Sequence, residues 1–148
     1  MVEMDKSSSI RVLVVDDHTI VRQGLKLIMD EELDMSVAGE ASCAAECIAR
    51  VDESEWDVVL LDITLPDRNG LEALKDVKAM RPELPVLILS MHPEEQYAKQ
   101  AIMNGASGYM TKECAAQEVV GAIRQVVRGG MYTREPLPGG LSGKGEQD

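Results

Sequence analysis

The chain has 148 residues, a length that suits one domain, and hydrophobic residues make up 45% of it. The formal net charge of −11 argues against non-specific nucleic-acid binding, because a duplex would repel such a surface. Three cysteines without framework spacing (Cys43, Cys47 and Cys114), no apolar run of membrane-spanning length and no signal-peptide pattern lead us to expect a cytoplasmic protein with no membrane partner.

Strands and helices are predicted to alternate along most of the chain. Residues 1–9 are polar and serine-rich, which indicates a flexible leader. Short apolar runs predict five strands, at 10–15, 35–41, 58–61, 86–89 and 108–111. Apolar residues at helical spacing predict a helix after each strand, near 20–28, 44–51, 71–77, 94–103 and 116–127.

Five successive strand–helix units predict an α/β fold. Right-handed crossovers between parallel strands place helices on both faces of the sheet, so we expect a doubly wound five-stranded parallel sheet within residues 10–130. Residues 131–148 are polar and rich in Gly and Pro, which predicts a linker or a disordered tail.

Four of the predicted strands end at polar residues that could hold a phosphoryl group or a metal. They are Asp16-Asp17, Asp62, Ser90 and Lys112. Ligands bind at the carboxyl ends of strands in open parallel sheets, so we expect these side chains to converge. Three neighbouring carboxylates repel one another, and their oxygen ligands favour Mg²⁺ or Mn²⁺ as the cation that relieves the repulsion. A carboxylate at such a site can attack phosphorus, with Lys112 balancing the charge.

Each of these residues also has an ordinary structural interpretation when it is taken alone. Asp16-Asp17 could be a helix N-cap and a first-turn acid, and Asp62 could cap a turn. Ser90 and Lys112 could be a strand-end residue and a solvated lysine, while His18 is interpreted as a first-turn helix residue. The joint occurrence at successive strand ends favours a site.

Four motifs carry a resemblance to a known family. They are Val-Val-Asp-Asp-His (14–18), Leu-Leu-Asp-Ile-Thr-Leu-Pro-Asp-Arg-Asn-Gly (60–70), Leu-Ser-Met-His (89–92) and Asn-Gly-Ala-Ser-Gly-Tyr-Met-Thr-Lys (104–112). Together they resemble the receiver domain of two-component response regulators, of the NarL/FixJ (LuxR-type) subfamily. The resemblance implies a flavodoxin-like sheet with the strand order 2-1-3-4-5.

The resemblance also implies a role for each matching residue. Asp62 is the expected phospho-acceptor, and Lys112 and Ser90 are expected to contact its phosphoryl group. Ser90 and Tyr109 are the expected switch pair that alters the output surface. The metal ligands that the resemblance implies are Asp16, Asp17, Asp62 and the backbone carbonyl of Thr64.

The function that follows is a signalling switch and not an enzyme acting on other substrates. The expected partners are a cognate histidine kinase and, on phosphorylation, a second copy of the chain. Receivers of this type usually precede a helix-turn-helix domain, which is absent here, so we expect a fragment that does not itself bind DNA but controls transcription in the full-length protein. The alternatives are a stand-alone or degenerate receiver acting as a protein-interaction module, and a haloacid-dehalogenase-type phosphohydrolase, which would need a second acid at the position of Thr64.

Overall fold

The computed structural model describes residues 9–91 and 95–133. The strands in this part of the chain are β1 (Ile10–Val15), β2 (Met35–Ala41), β3 (Val58–Asp62), β4 (Val86–Ser90), β5 (Gly108–Thr111) and β6 (Tyr132–Thr133). The helices are α1 (Thr19–Asp30), α2 (Ala44–Glu53), α3 (Gly70–Met80), α4 (Glu95–Met103) and α5 (Lys112–Val127). Across these ranges, no helix combines the length and the apolar character needed to cross a membrane.

All strand pairs of the sheet are parallel, in the order β2-β1-β3-β4-β5-β6. The predicted α/β fold and the strand order 2-1-3-4-5 are therefore confirmed. The structure adds β6, which pairs with the outer edge of β5 through Gly108 and Tyr132. The Gly-Pro-rich composition after residue 130 gave no signal for a strand of two residues.

Most of the predicted leader and tail, at 1–8 and 134–148, lies outside the described residues, as does His92.

The central strands are apolar on both sides because both sides are covered. Alternate residues such as Val12, Val14 and Leu60 belong to the core beneath α1 and α5. Their neighbours Leu13 and Leu61 belong to the core beneath α2, α3 and α4. This is the reason that these strands appear as continuous apolar runs and not as alternating ones. The chain contains no Phe, so aliphatic side chains do most of the filling.

The register of the sheet brings the polar strand ends together. Val15 is paired with Leu61, so Asp16 and Asp62 follow at the same level on adjacent strands. Farther along the sheet, Ser90 pairs with the last residue of β5, and Lys112 comes directly after it. The predicted convergence is thus a consequence of strand pairing.

Helix α3 packs unusually close to the end of β3. Asn69 occupies its N-cap position and accepts a hydrogen bond from the Leu71 amide at 2.7 Å. A Cβ atom on Gly70 would lie 2.3 Å from the carbonyl oxygen of Asp62 and 2.6 Å from the Cα of Ile63, so only glycine fits without a backbone shift. The helix is therefore held directly against the strand end that carries Asp62.

Candidate functional site

The three predicted carboxylates meet at the carboxyl edge of the sheet. Asp16 and Asp62 are buried, whereas Asp17 is exposed. One potential ligand atom from each of these residues and one from His18 all lie within 4.8 Å of one another. The structure thus brings together the predicted acids and adds a histidine that was interpreted only as a helix residue.

Lys112 contacts two of the three carboxylates. Its ammonium nitrogen lies 2.7 Å from Asp16 Oδ2 and 3.0 Å from Asp62 Oδ2, and its side chain is 8% exposed. Burial lowers the pKa of Lys112, but hydrogen bonds and charge from Asp16 and Asp62 outweigh it and raise the pKa overall. Three carboxylates and one ammonium leave a formal charge of −2, which suits a divalent cation.

Both carboxylate oxygens of Asp62 are held in place. Oδ1 accepts a hydrogen bond from the Thr64 amide at 3.0 Å, and Oδ2 accepts one from Lys112 at 3.0 Å. The bond from the Thr64 amide also confirms the interpretation of Asp62 as a turn cap. Burial is the main cause that raises the pKa of Asp62, and the charge of Asp16 adds to it against the two hydrogen bonds. The carboxylate is thus fixed in orientation and relieved of part of its hydration.

Asp16 is oriented by His18, which is the N-cap of helix α1 and not the first-turn residue that we expected. Its Oδ1 accepts a hydrogen bond from the His18 amide at 2.8 Å, and the His18 Nδ1 atom lies 3.0 Å away. Because the N-cap position of α1 is His18, Asp16-Asp17 are not the cap of this helix. Asp16 Oδ2 is buried, with the Lys112 ammonium 2.7 Å away and no other hydrogen-bond donor within the described residues. This oxygen has lone pairs available for a cation.

Arg22 restrains the turn that carries the two acids, and the sequence analysis missed it. Its Nη1 donates to the carbonyl oxygen of Asp16 at 2.5 Å, and its Nε donates to Glu40 Oε1 at 2.9 Å. Arg22 stands four residues after His18, a spacing that directs a helical side chain back toward the preceding turn. That spacing was the sequence signal from which the contact of Arg22 with the turn could have been predicted. The guanidinium ties the end of β1 to α1 and β2.

The loop between β3 and α3 is fixed at a second point. The Asp67 carboxylate accepts hydrogen bonds from the amides of Ala44 and Ala45, at 2.8 and 3.0 Å. These amides at the start of α2 hold the pKa of Asp67 below its usual range. Thr64 pairs with Asn69 across the loop. The position of Thr64 beside Asp62 is therefore well supported, while its carbonyl as a metal ligand stays a prediction.

The predicted switch residues lie on the neighbouring strands. Ser90 is fully buried at the end of β4. Tyr109 on β5 is 6% exposed and packs in the core beneath α2, α3 and α4. The structure places both residues on the strands that lead from Asp62 toward α5. Their action as a switch stays a prediction.

Comparison with known proteins identifies the family. A model of the response regulator receiver domain matches residues 12–124, which span most of β1, all of β2 to β5 and the acidic cluster described above. The chain belongs to this family. Receiver domains of response regulators are signalling modules that typically partner with histidine kinases, and many of the regulators similar to this chain act in transcription.

Individual relatives agree with the family assignment. The chain is 34% identical over 132 residues to the transcriptional regulatory protein DegU of Brevibacillus brevis, covering 89% of this chain and 56% of DegU. It is 38% identical over 120 residues to the DNA-binding transcriptional activator DevR/DosR of Mycobacterium tuberculosis, covering 81% of this chain and 55% of DevR/DosR. This receiver chain therefore spans about half the length of the curated relatives that it matches.

A solved structure extends the similarity to the fold. The crystal structure of a two-component response regulator of the LuxR family from Aurantimonas sp. SI85-9A1 matches with a TM-score of 0.81 and 34% identity. The match covers 87% of this chain and 91% of that chain. The predicted NarL/FixJ (LuxR-type) resemblance is confirmed by such relatives. The phosphohydrolase alternative is not favoured, and the position where it needs a second acid carries the exposed Thr64.

Proposed function

We propose that this receiver accepts a phosphoryl group on Asp62 from a cognate histidine kinase in a reaction that depends on a divalent cation. One observation carries the proposal: the buried Asp62 carboxylate contacts the Lys112 ammonium and lies within 4.8 Å of two further acids. This arrangement holds a nucleophile, a balancing cation and a set of metal ligands at one strand end.

The residues present fit Mg²⁺, with Mn²⁺ as the alternative. The acidic donors are oxygen atoms, and the cluster keeps an excess of two negative charges after Lys112 is counted. We expect the cation to be held by Asp16, Asp17, Asp62 and the Thr64 carbonyl. When bound, it supplies positive charge that allows an anionic phosphoryl donor to approach the carboxylates.

Asp62 acts as the nucleophile in the proposed transfer. One carboxylate oxygen forms a bond to phosphorus while the phosphorus–nitrogen bond of the donor phosphohistidine breaks, and the bonding electron pair stays on the imidazole nitrogen. Lys112 balances the charge of the phosphoryl oxygens, and the Ser90 hydroxyl donates a hydrogen bond to one of them. The product is an acyl phosphate on Asp62.

The proposed output passes through β4 and β5. Movement of the Ser90 hydroxyl toward the phosphoryl group and repositioning of Tyr109 alter the surface formed by α4, β5 and α5, on which two phosphorylated copies associate. In a full-length protein this change controls transcription, which is the role given to the relatives DegU and DevR/DosR. The net charge of −11 supports the expectation that this chain does not itself bind DNA. A cytoplasmic location is part of the same proposal.

Asp62→Asn is expected to abolish phosphorylation, because the amide cannot serve as the nucleophile. The measurement is incorporation of label from a small acyl-phosphate donor in the presence of Mg²⁺. Asp57→Asn is the matched control, because Asp57 is exposed and precedes the other end of β3. It should be labelled like the wild type. Labelling of Asp62→Asn at the wild-type rate would show that the acceptor lies elsewhere.

Arg22→Gln is expected to weaken Mg²⁺ binding by about tenfold, because the turn that carries Asp16 and Asp17 loses its restraint. Phosphorylation at saturating Mg²⁺ should stay close to the wild-type rate. Lys26→Gln is the matched control, since Lys26 also faces Glu40, at 3.8 Å, but has no bond to the Asp16 carbonyl. Mg²⁺ titration of the three proteins provides the test, and equal affinities would exclude a positioning role for Arg22.

A further inference from the structure

His18 faces the acidic cluster with a ring nitrogen and not only with its backbone. The Nδ1 atom lies 3.0 Å from Asp16 Oδ1 and 3.3 Å from Asp17 Oδ1. The imidazole is 60% exposed, so a cation can reach it from solvent, whereas the Asp16 side chain beside it is fully buried. The nitrogen therefore stands at the mouth of the cluster, next to two carboxylates.

These separations match the dimensions of a single coordination sphere. Adjacent ligands of an octahedral cation with bonds of about 2.1 Å lie about 3.0 Å apart, and opposite ligands lie about 4.2 Å apart. The two distances from His18 Nδ1 are close to the adjacent-ligand spacing. The full set of one nitrogen and three carboxylate oxygens spans no more than 4.8 Å. To share one ion, the four atoms must close their widest separation to about 4.2 Å.

We propose that His18 is a direct ligand that makes this cluster a mixed nitrogen–oxygen site for borderline divalent cations such as Ni²⁺ and Co²⁺. The proposal deepens the metal site of the proposed function. The buried Asp16 Oδ2 has the Lys112 ammonium 2.7 Å away and no other donor within the described residues, so a lone pair of this oxygen stays available to an ion at the same place.

The class of cation follows from the chemistry of the added donor. Imidazole nitrogen suits Ni²⁺, Co²⁺ and Zn²⁺, whereas Mg²⁺ prefers oxygen and keeps much of its water. His18 therefore adds little to the affinity of the cluster for Mg²⁺. The same cluster gains one metal–nitrogen bond when a nitrogen-seeking cation binds, so His18 separates the two classes of cation by affinity.

His18→Asn separates ligation from hydrogen bonding. The asparagine amide nitrogen can donate to Asp16 Oδ1, as Nδ1 does when it carries the ring proton, but it is a poor metal ligand. Ni²⁺ affinity is expected to fall by about tenfold or more, with Mg²⁺ affinity within about threefold of the wild type, on the scale of single changes around metal sites. His92→Asn is the matched control, because the chain has only two histidines. It should bind both ions like the wild type.

Calorimetric titration with Ni²⁺ and with Mg²⁺ measures both affinities, and the visible spectrum of bound Co²⁺ reports directly on the ligand set. A spectrum that changes in His18→Asn and not in His92→Asn supports ligation. Unchanged Ni²⁺ affinity and an unchanged Co²⁺ spectrum in His18→Asn would overturn it. Equal losses of Ni²⁺ and Mg²⁺ affinity would also overturn it, because they would assign His18 an orienting role.

These measurements distinguish the inference from the proposed function on which it rests. If Asp62 is labelled in an Mg²⁺-dependent reaction while His18→Asn keeps full Ni²⁺ affinity, only the role of His18 is wrong. If no label enters Asp62 but His18→Asn loses Ni²⁺ selectively, the mixed site stands and the phosphoryl transfer is wrong.

Discussion

Lys112→Met is expected to slow phosphorylation of Asp62 by about 100-fold or more, the range found when one preorganised charge-stabilising donor is removed from an active site. Its ammonium contacts Asp16 and Asp62 at 2.7 and 3.0 Å, and the side chain is largely buried. Without this ammonium, the two buried carboxylates repel each other. The incoming phosphoryl oxygens then face no fixed positive charge from residue 112. The initial rate of labelling by a small acyl phosphate is the measurement.

The same substitution is expected to lower the free energy of unfolding by about 3 kcal/mol at pH 7 in the absence of divalent cations, because it leaves buried charges uncompensated. Lys112→Arg keeps the charge but changes its shape, so it should recover most of the stability and less of the rate. Adding Asp16→Asn to Lys112→Met should restore part of the stability by removing one of the repelling charges. A Lys112→Met protein with wild-type rate and stability would show that the ion pairs are incidental.

The fold was predictable because its signals are local and repeated. Buried parallel strands must be apolar on both faces, and runs such as 12–15 and 58–61 carry that requirement in their composition. Strand β6 carries no such signal, since its two residues pair at an edge next to glycines. Its formation depends on where α5 ends and on the open edge of β5, which are tertiary features.

The candidate site was predictable to the level of strand ends. The positions of Asp16, Asp62 and Lys112 follow from register, once each is assigned to the carboxyl end of a strand. The contacts of His18 and Arg22 depend on side-chain directions at the start of α1, which residue patterning does not specify. Sequence patterns therefore identified the reactive groups but not the residues that orient them.

Asp62→Asn is expected to raise the free energy of unfolding by about 1–2 kcal/mol at pH 7 without divalent cations, within the range of single stabilising substitutions. The cause is the raised pKa of Asp62, which burial produces and the charge of Asp16 increases. The folded protein holds a proton on this carboxyl more tightly than the unfolded chain does. Its contribution to stability therefore falls as the pH rises through the raised pKa.

The pH dependence provides the decisive measurement. Urea unfolding of both proteins should give a difference that is absent below the pKa of an unfolded aspartate, about pH 4, and that grows with pH until it levels off above the raised pKa of Asp62. Asp52→Asn is the matched control, because this carboxylate is exposed on α2 and away from the site. Mg²⁺ should reduce the difference, since it binds more tightly to, and so stabilises more, the protein that keeps the Asp62 carboxylate. A gain that persists below pH 4, or a loss at pH 7, would contradict the view that the cluster holds Asp62 at an energetic cost to the fold.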